Sequence, residues 1–143
     1  MKLQHLSTRN NTFLKRNSIK IFLAPTSFAR NSLAPLDLLQ AKGYDIDLNR
    51  LKKKLSKREI ISMASSCDAV LAGTEIYDRD VLNKIQKLRV ISRLGVGLDN
   101  IDLKYADQKN IKVYVTQTNP SLAVAELTLG LILDVLRKIS LQS

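Results

Sequence analysis

From Ser18 onward the chain carries two alternating rhythms: short apolar runs rich in β-branched residues, and longer stretches in which apolar positions recur at helical spacing. That alternation predicts a parallel sheet covered by helices. Five strand-like runs stand out: Ile19 to Ala24, Tyr44 to Leu48, Asp68 to Ala72, Leu88 to Ser92 and Ile111 to Val115. The third is short and is expected to be central. Leu36, Leu38, Leu39 and Ala41 predict a helix between the first two runs, ended by Gly43. Ser56-Lys57-Arg58-Glu59 has the reciprocal capping-box form and should open a second helix, Asp78 should cap a third, and a short fourth is expected from about Asp102 to Gln108.

Beyond Asn119-Pro120, where proline suits a helix's first turn, the rhythm predicts a long final helix to about Ile139. Its polar stripe is narrow, consisting of Glu126, Gly130, Asp134, Arg137 and Lys138, and leucine, valine, isoleucine and alanine fill most of the rest. A helix this apolar needs burial on most sides. Either it packs wholly onto the sheet, which serves one helix face and not two, or it needs a partner surface.

With 143 residues, 45% of them hydrophobic, the chain can hold one domain with a sizeable core. Three segments are expected: a basic leader over residues 1–17, a sheet domain over 18–120 and the final helix with its tail over 121–143. Glu126 and Asp134 interrupt the longest apolar stretch, so no membrane span is expected. With one cysteine, Cys67, and no apolar signal segment at Met1 to His5, the cytoplasm is the expected compartment.

The net charge of +10 suggests a polyanion partner until its distribution is considered. Residues 1–60 hold 13 lysines and arginines against 4 acids, whereas residues 61–143 hold 10 against 9. The excess falls in the leader and in the run from Arg50 to Arg58, without interleaved aromatics for base stacking, and reads as a tail and a solvated connector rather than a nucleic-acid surface.

Candidate chemistry concentrates at two glycine-bearing loops. Gly95-Val96-Gly97-Leu98-Asp99-Asn100 follows the fourth strand directly, as a dinucleotide fingerprint would, but Asn100 stands where the third glycine belongs and no acid lies near Gln117. What remains is a loop at the carboxyl end of a parallel strand, with backbone amides suited to an anionic oxygen. Gly73-Thr74-Glu75 leaves the third strand in the same way and should line the same edge; the plainer possibility is a simple loop in which Thr74 or Glu75 caps the next turn. The one histidine, His5, lies in the leader, so no catalytic residue or metal cluster is nominated, and Cys67 reads as a buried structural thiol.

LRVISRLGVGLDNID over Leu88–Asp102 and NPSLAVAELTLGLILDVLR over Asn119–Arg137, with CDAVLAGTE over Cys67–Glu75, closely resemble the D-isomer-specific 2-hydroxyacid dehydrogenases, particularly phosphoglycerate-dehydrogenase-like members. The resemblance implies a flavodoxin-like five-stranded parallel sheet with helices on both faces, and a final helix that leads into a Rossmann domain. That domain and the family's catalytic arginine, glutamate and histidine are expected to lie outside this chain. NAD is then the cofactor of the complete enzyme, with no tight binding to this chain alone. By the same resemblance, the backbone of Leu94, Gly95, Val96 and Gly97 would hold the carboxylate of a small 2-hydroxy or 2-keto acid. Val96 would also lie near the cofactor's nicotinamide, and Gly73 and Thr74 would border the substrate. Two departures are Ala72, where many phosphoglycerate dehydrogenases carry a phosphate-binding arginine, and Gln117-Thr118 before the last helix. The implied function is the substrate-binding portion of an oxidoreductase, inactive by itself. The alternative is a non-catalytic module derived from that family that self-associates through helix 121–139 or binds a partner.

Overall fold

A computed structural model of the chain describes residues 18–117 and 120–141, so the leader, Thr118 and Asn119 lie outside the described residues. The strands are β1 (Lys20–Leu23), β2 (Asp45–Leu48), β3 (Ala69–Ala72), β4 (Val90–Arg93) and β5 (Lys112–Val115). Between them run α1 (Ala34–Ala41), α2 (Lys57–Ala64), α3 (Arg79–Lys84) and α4 (Leu103–Gln108), and α5 (Ser121–Arg137) follows β5. All strand pairs are parallel, in the order β2-β1-β3-β4-β5. The third strand is the central one, as its apolar brevity implied.

Local chemistry sets the helix starts. Ser56 accepts from the Glu59 amide while Glu59 accepts from the Ser56 amide at 2.8 Å, completing the capping box of α2. Asp78 caps α3 through the Val81 amide at 3.1 Å, and Asp102 caps α4 through the Tyr105 amide at 2.9 Å. Lys57 also donates to Asp78, joining the starts of α2 and α3. Pro120 stands just before α5 rather than inside its first turn.

Two boundaries differ by two residues from the sequence expectation, and several others by one. The fourth strand begins at Val90, not Leu88, because the Leu88 amide closes a turn onto the Ile85 carbonyl at 3.2 Å and its side chain drops into the core. The last helix ends at Arg137, not Ile139: Lys138 takes a left-handed conformation (φ +53°), and Ile139–Leu141 form a short 3-10 turn. The Asp134 carboxylate accepts from the Ser140 amide at 2.7 Å and from its hydroxyl at 2.9 Å, fixing that turn.

One face of the sheet is closed. Phe22, Val70, Ala72 and Ile91 pack against Ile60 and Ala64 of α2, Val81 and Leu82 of α3 and Ala106 of α4, with Cys67 and Tyr77 enclosed among them. The alternate residues face the other way, where α1 leaves an apolar groove of about 340 Å³ floored by Ile21, Ala69, Leu71 and Val90. The final helix does not fill this groove. None of its side chains is buried, and Leu122, Leu129, Ile132 and Leu136 are all exposed. Of the two possibilities its sequence left open, packing wholly onto the sheet is the one this arrangement does not adopt. Among the described residues no helix is long and apolar enough to cross a membrane.

This division predicts two unlike responses to alanine. Ile91→Ala should lower unfolding free energy by roughly 2–5 kcal/mol in urea denaturation, the range for emptying a packed core position. Leu129→Ala should change it by less than about 0.5 kcal/mol, as for an exposed site. A comparable loss in both would mean that α5 docks onto the sheet.

Candidate functional site

The candidate loops are brought together by strand register. Ala72 of β3 pairs with Arg93 of β4, so Gly73-Thr74 and Leu94 to Gly97 leave the carboxyl edge of the sheet side by side. The Leu94 amide donates to the Ala72 carbonyl at 2.9 Å, carrying the ladder one step past the strands. The two loops are then tied by Asn100, whose side-chain amide donates to the carbonyls of Gly73 (3.2 Å) and Glu75 (2.5 Å). The backbone returns the link, the Tyr77 amide donating to the Asn100 carbonyl at 2.7 Å and the Asp102 amide to the Tyr77 carbonyl at 3.0 Å.

Of the four amides from Leu94 to Gly97, two are already committed. Leu94 extends the ladder, and Gly95 donates to the Thr116 hydroxyl at 3.0 Å, while the Thr116 amide donates back to the Gly95 carbonyl at 3.2 Å. Among the described residues, no hydrogen bond uses the amides of Val96 or Gly97. Val96 and Gly97 are both exposed residues of this edge. Gly95 has a φ of +137°, a conformation side chains rarely adopt, and a Cβ there would lie 2.6 Å from Nη1 of Arg93.

Beneath the loops lies a buried polar group that sequence reasoning only partly identified. Glu75, 3% exposed, turns back to accept from the Gly73 amide at 2.8 Å, so it braces its own loop, and Asp78 caps the next helix. The Tyr77 hydroxyl is buried without a partner among the described residues; burial, reinforced by the Glu75 carboxylate and opposed by Arg93, pushes its pKa well above the ordinary phenol range. The Arg93 guanidinium donates to the Leu94 carbonyl, and its Nε–H is buried with no acceptor among the described residues.

Pro25, Thr26, Ser27, Lys53 and Lys54 border the same edge. Lys53 pairs with Glu59 at 2.7 Å, and that contact, helped by the Ser56 amide and hydroxyl, holds the Glu59 carboxyl down at about 2. Burial pushes the Cys67 thiol up, in keeping with a structural role. Neither Asn100 nor Thr116 had been singled out for a role. Their partners are 21 to 27 residues away, and no local periodicity announces such contacts. Among the described residues, no cluster of three histidine, cysteine or acidic side chains could hold a metal ion.

Comparison with known proteins adds an independent line. The family model "D-isomer specific 2-hydroxyacid dehydrogenase, catalytic domain" matches residues 15–138. The D-3-phosphoglycerate dehydrogenase of Sus scrofa is 41% identical over 90 residues, which is 62% of this chain and 17% of that protein. That of Methanocaldococcus jannaschii is 42% identical over 87 residues, 59% of this chain and 16% of that protein. Among solved structures, the NAD+-bound 3-phosphoglycerate dehydrogenase of Entamoeba histolytica superposes with a TM-score of 0.71 at 28% identity, covering 82% of this chain and 39% of that one. The chain thus spans about a sixth of the curated relatives' length.

The backbone at Gly95 generates a direct test. Gly95→Ala should cost about 1–3 kcal/mol in urea denaturation because its φ is strained for any side chain. Gly97→Ala, with no positive φ and no atom nearer than 3.8 Å to the added carbon, should stay within about 0.5 kcal/mol. Equal costs would mean that Gly95 is not the conformational pivot of the loop.

Proposed function

The chain belongs to the D-isomer specific 2-hydroxyacid dehydrogenases, and we propose that within that family it forms the substrate-binding side of an NAD-dependent oxidoreduction of a small 2-hydroxy acid. The observation that carries this reading is the pair of amides at Val96 and Gly97, which no hydrogen bond uses among the described residues, on a loop held at the carboxyl edge by the Gly95–Thr116 and Asn100 contacts. They can donate to a substrate carboxylate, with Leu94 and Gly95 shaping the loop and Gly73 and Thr74 bordering the bound molecule. Backbone donors fixed in advance lose little on binding, which suits them to orienting an anion.

Chemistry needs more than this edge. NAD, when bound to the complete enzyme, accepts the hydride, and Val96 is the residue of this chain proposed to lie nearest to it. A base must also take the hydroxyl proton, and the chain's one histidine, His5, precedes the family match. Base and cofactor site are therefore proposed to come from outside the described residues, and this chain alone is proposed to orient substrate without turning it over. General acid–base assistance is worth about 10²–10⁴-fold in rate, so turnover without it should fall below detection.

Titration of the purified chain tests the reading in two steps. D-lactate should shift the backbone amide resonances of Val96 and Gly97, and calorimetry with NADH should show no tight binding until a separately expressed Rossmann half of a related dehydrogenase is added. Tight NADH binding by the chain alone, or D-lactate shifts away from this edge, would overturn it.

One observation favours a second reading, a non-catalytic module that self-associates: α5 exposes apolar side chains around most of its circumference. Sedimentation equilibrium would then show a mass that rises with concentration and falls back on Leu129→Glu. A monomer at all concentrations would remove this alternative.

A further inference from the structure

At the amino ends of the strands, remote from the glycine loops, the sheet opens into a broad hollow of about 1050 Å³. Lys20, Asp45, Asp68, Arg89 and Lys112 line it, at or just before the starts of β1, β2, β3, β4 and β5. Lys87 and Lys109 line it as well. We propose that this amino edge docks an acidic polypeptide segment through Lys87, Arg89, Lys109 and Lys112. The two edges lie at opposite ends of the strands, so this docking face is separate from the amides of Val96 and Gly97.

Charge is divided along this edge. The Asp68 amide donates to the Lys20 carbonyl, the Arg89 amide to the Asp68 carbonyl and the Lys112 amide to the Arg89 carbonyl, each at 2.8 Å, which sets the residues in one row. On the β1–β2 side Lys20 pairs with Asp47 at 2.9 Å, and Asp45 and Asp68 add negative charge. On the β4–β5 side Lys87, Arg89 and Lys112 form no ion pair among the described residues, and Lys109 lies 5.8 Å from the centre of the Tyr105 ring. All four cations are exposed. Residues 61–143 hold 10 cations against 9 acids, so their near-neutral total conceals a local surplus gathered at one end of two adjacent strands.

Two turns hold these cations in place. Leu88 is buried and its amide closes onto the Ile85 carbonyl at 3.2 Å, so Lys87 and Arg89 flank a fixed anchor. Ile111 repeats the device at the start of β5: it is buried, and its amide donates to the Ala106 carbonyl at 2.8 Å, with Lys112 beside it. Before it the chain turns at Asn110, whose φ is +57° and whose amide donates to the Asp107 carbonyl at 2.9 Å. The Lys109 amide is held by the last turn of α4, at 3.1 Å from the Tyr105 carbonyl. With the backbone set in advance, only side-chain freedom is lost on binding.

The partner's chemistry follows from what lines the hollow and what bounds it. No aromatic residue is among those lining it, so the bases of a single-stranded nucleic acid find no stacking platform. A phosphate backbone, charged at every unit, would run from the basic side onto Asp68 and Asp45. A short acidic peptide can confine its charge to the basic side. Neighbouring strands lie roughly 5 Å apart, and alternate residues of an extended chain about 7 Å, so a few glutamates or aspartates suffice to engage all four cations. The side-chain amides of Gln86 and Asn110, at the same rim, can donate to the peptide's carbonyls.

Fluorescence anisotropy of the whole chain at low ionic strength tests this, with labelled hexaglutamate, hexaglutamine and an oligouridylate of equal charge as probes. Hexaglutamate should bind about tenfold tighter than hexaglutamine, the order expected for several exposed ion pairs, and should shift the backbone amide resonances of Lys87, Arg89, Lys109 and Lys112. In Lys87→Gln/Arg89→Gln the margin should fall to about threefold, half of the pairs having been removed. Arg30→Gln/Lys54→Gln, an equal loss of charge away from this edge, should leave it near its original value. Hexaglutamate binding no tighter than hexaglutamine overturns the docking face. An equal fall in both double variants assigns the attraction to net charge and overturns the site. Oligouridylate binding tighter than hexaglutamate overturns the choice of partner in favour of a nucleic acid.

Discussion

The pairing of β3 with β4 is the constraint on which the candidate site depends. Because the strands are parallel and end in register at Ala72 and Arg93, both following loops must emerge at one edge. Parallel strands in a sheet of this order place every such connection at the carboxyl ends, and ligands of open α/β sheets gather there for that reason. The sheet does not by itself hold those loops in a useful shape. Asn100 and Thr116 do so, each bonding to a segment more than 20 residues away, and Glu75 fills the space beneath. Of the four amides from Leu94 to Gly97, two are thus spent on the scaffold, and those of Val96 and Gly97 enter no hydrogen bond among the described residues.

The elements were legible in the sequence because each is set by residues within a few positions of one another. The capping box at Ser56–Glu59, the caps at Asp78 and Asp102 and the apolar runs of all five strands could be read directly, and the observed bounds fall within about two residues of them. Leu88 misled because an apolar residue before a strand reads as part of it, although its backbone closes a turn. The stitches at Asn100, Thr116 and Asn49 were illegible for a different reason. A side-chain amide or hydroxyl that bonds across 21 to 27 residues leaves no mark on local hydropathy. Asn100 was noticed only as a missing glycine; its side chain joins the two loops, a contact a glycine could not make.

The final helix shows the opposite limit. Its apolar circumference was plain in the sequence, and so was its need for burial, yet the described residues of this chain supply no cover. The groove floored by Ile21, Ala69, Leu71 and Val90 on the open side of the sheet is likewise apolar and likewise unfilled. A helix apolar on most sides and a half-covered sheet both carry the pattern of surfaces that are stable only when something is packed against them. Membership of a family in which this stretch is a sixth to a third of the curated relatives' length is consistent with that.

The net charge of +10, taken as a total, pointed toward polyanions and therefore away from a small-molecule site. Position reverses the inference for part of the excess. Two of the lysines in the basic run from Arg50 to Arg58, Lys53 and Lys54, border the carboxyl edge, where Asn49 holds the Lys53 carbonyl, while Lys57 of the same run is spent on Asp78. A composition count weighs these residues equally, but ion pairs with Asp78 and Glu59 occupy Lys57 and Lys53, whereas Lys54 forms none among the described residues. Charge becomes informative about function only after each cation has been assigned its partner. In this chain Lys54 and Arg93, which form no ion pair among the described residues, share the carboxyl edge with Gly73, Thr74 and Leu94.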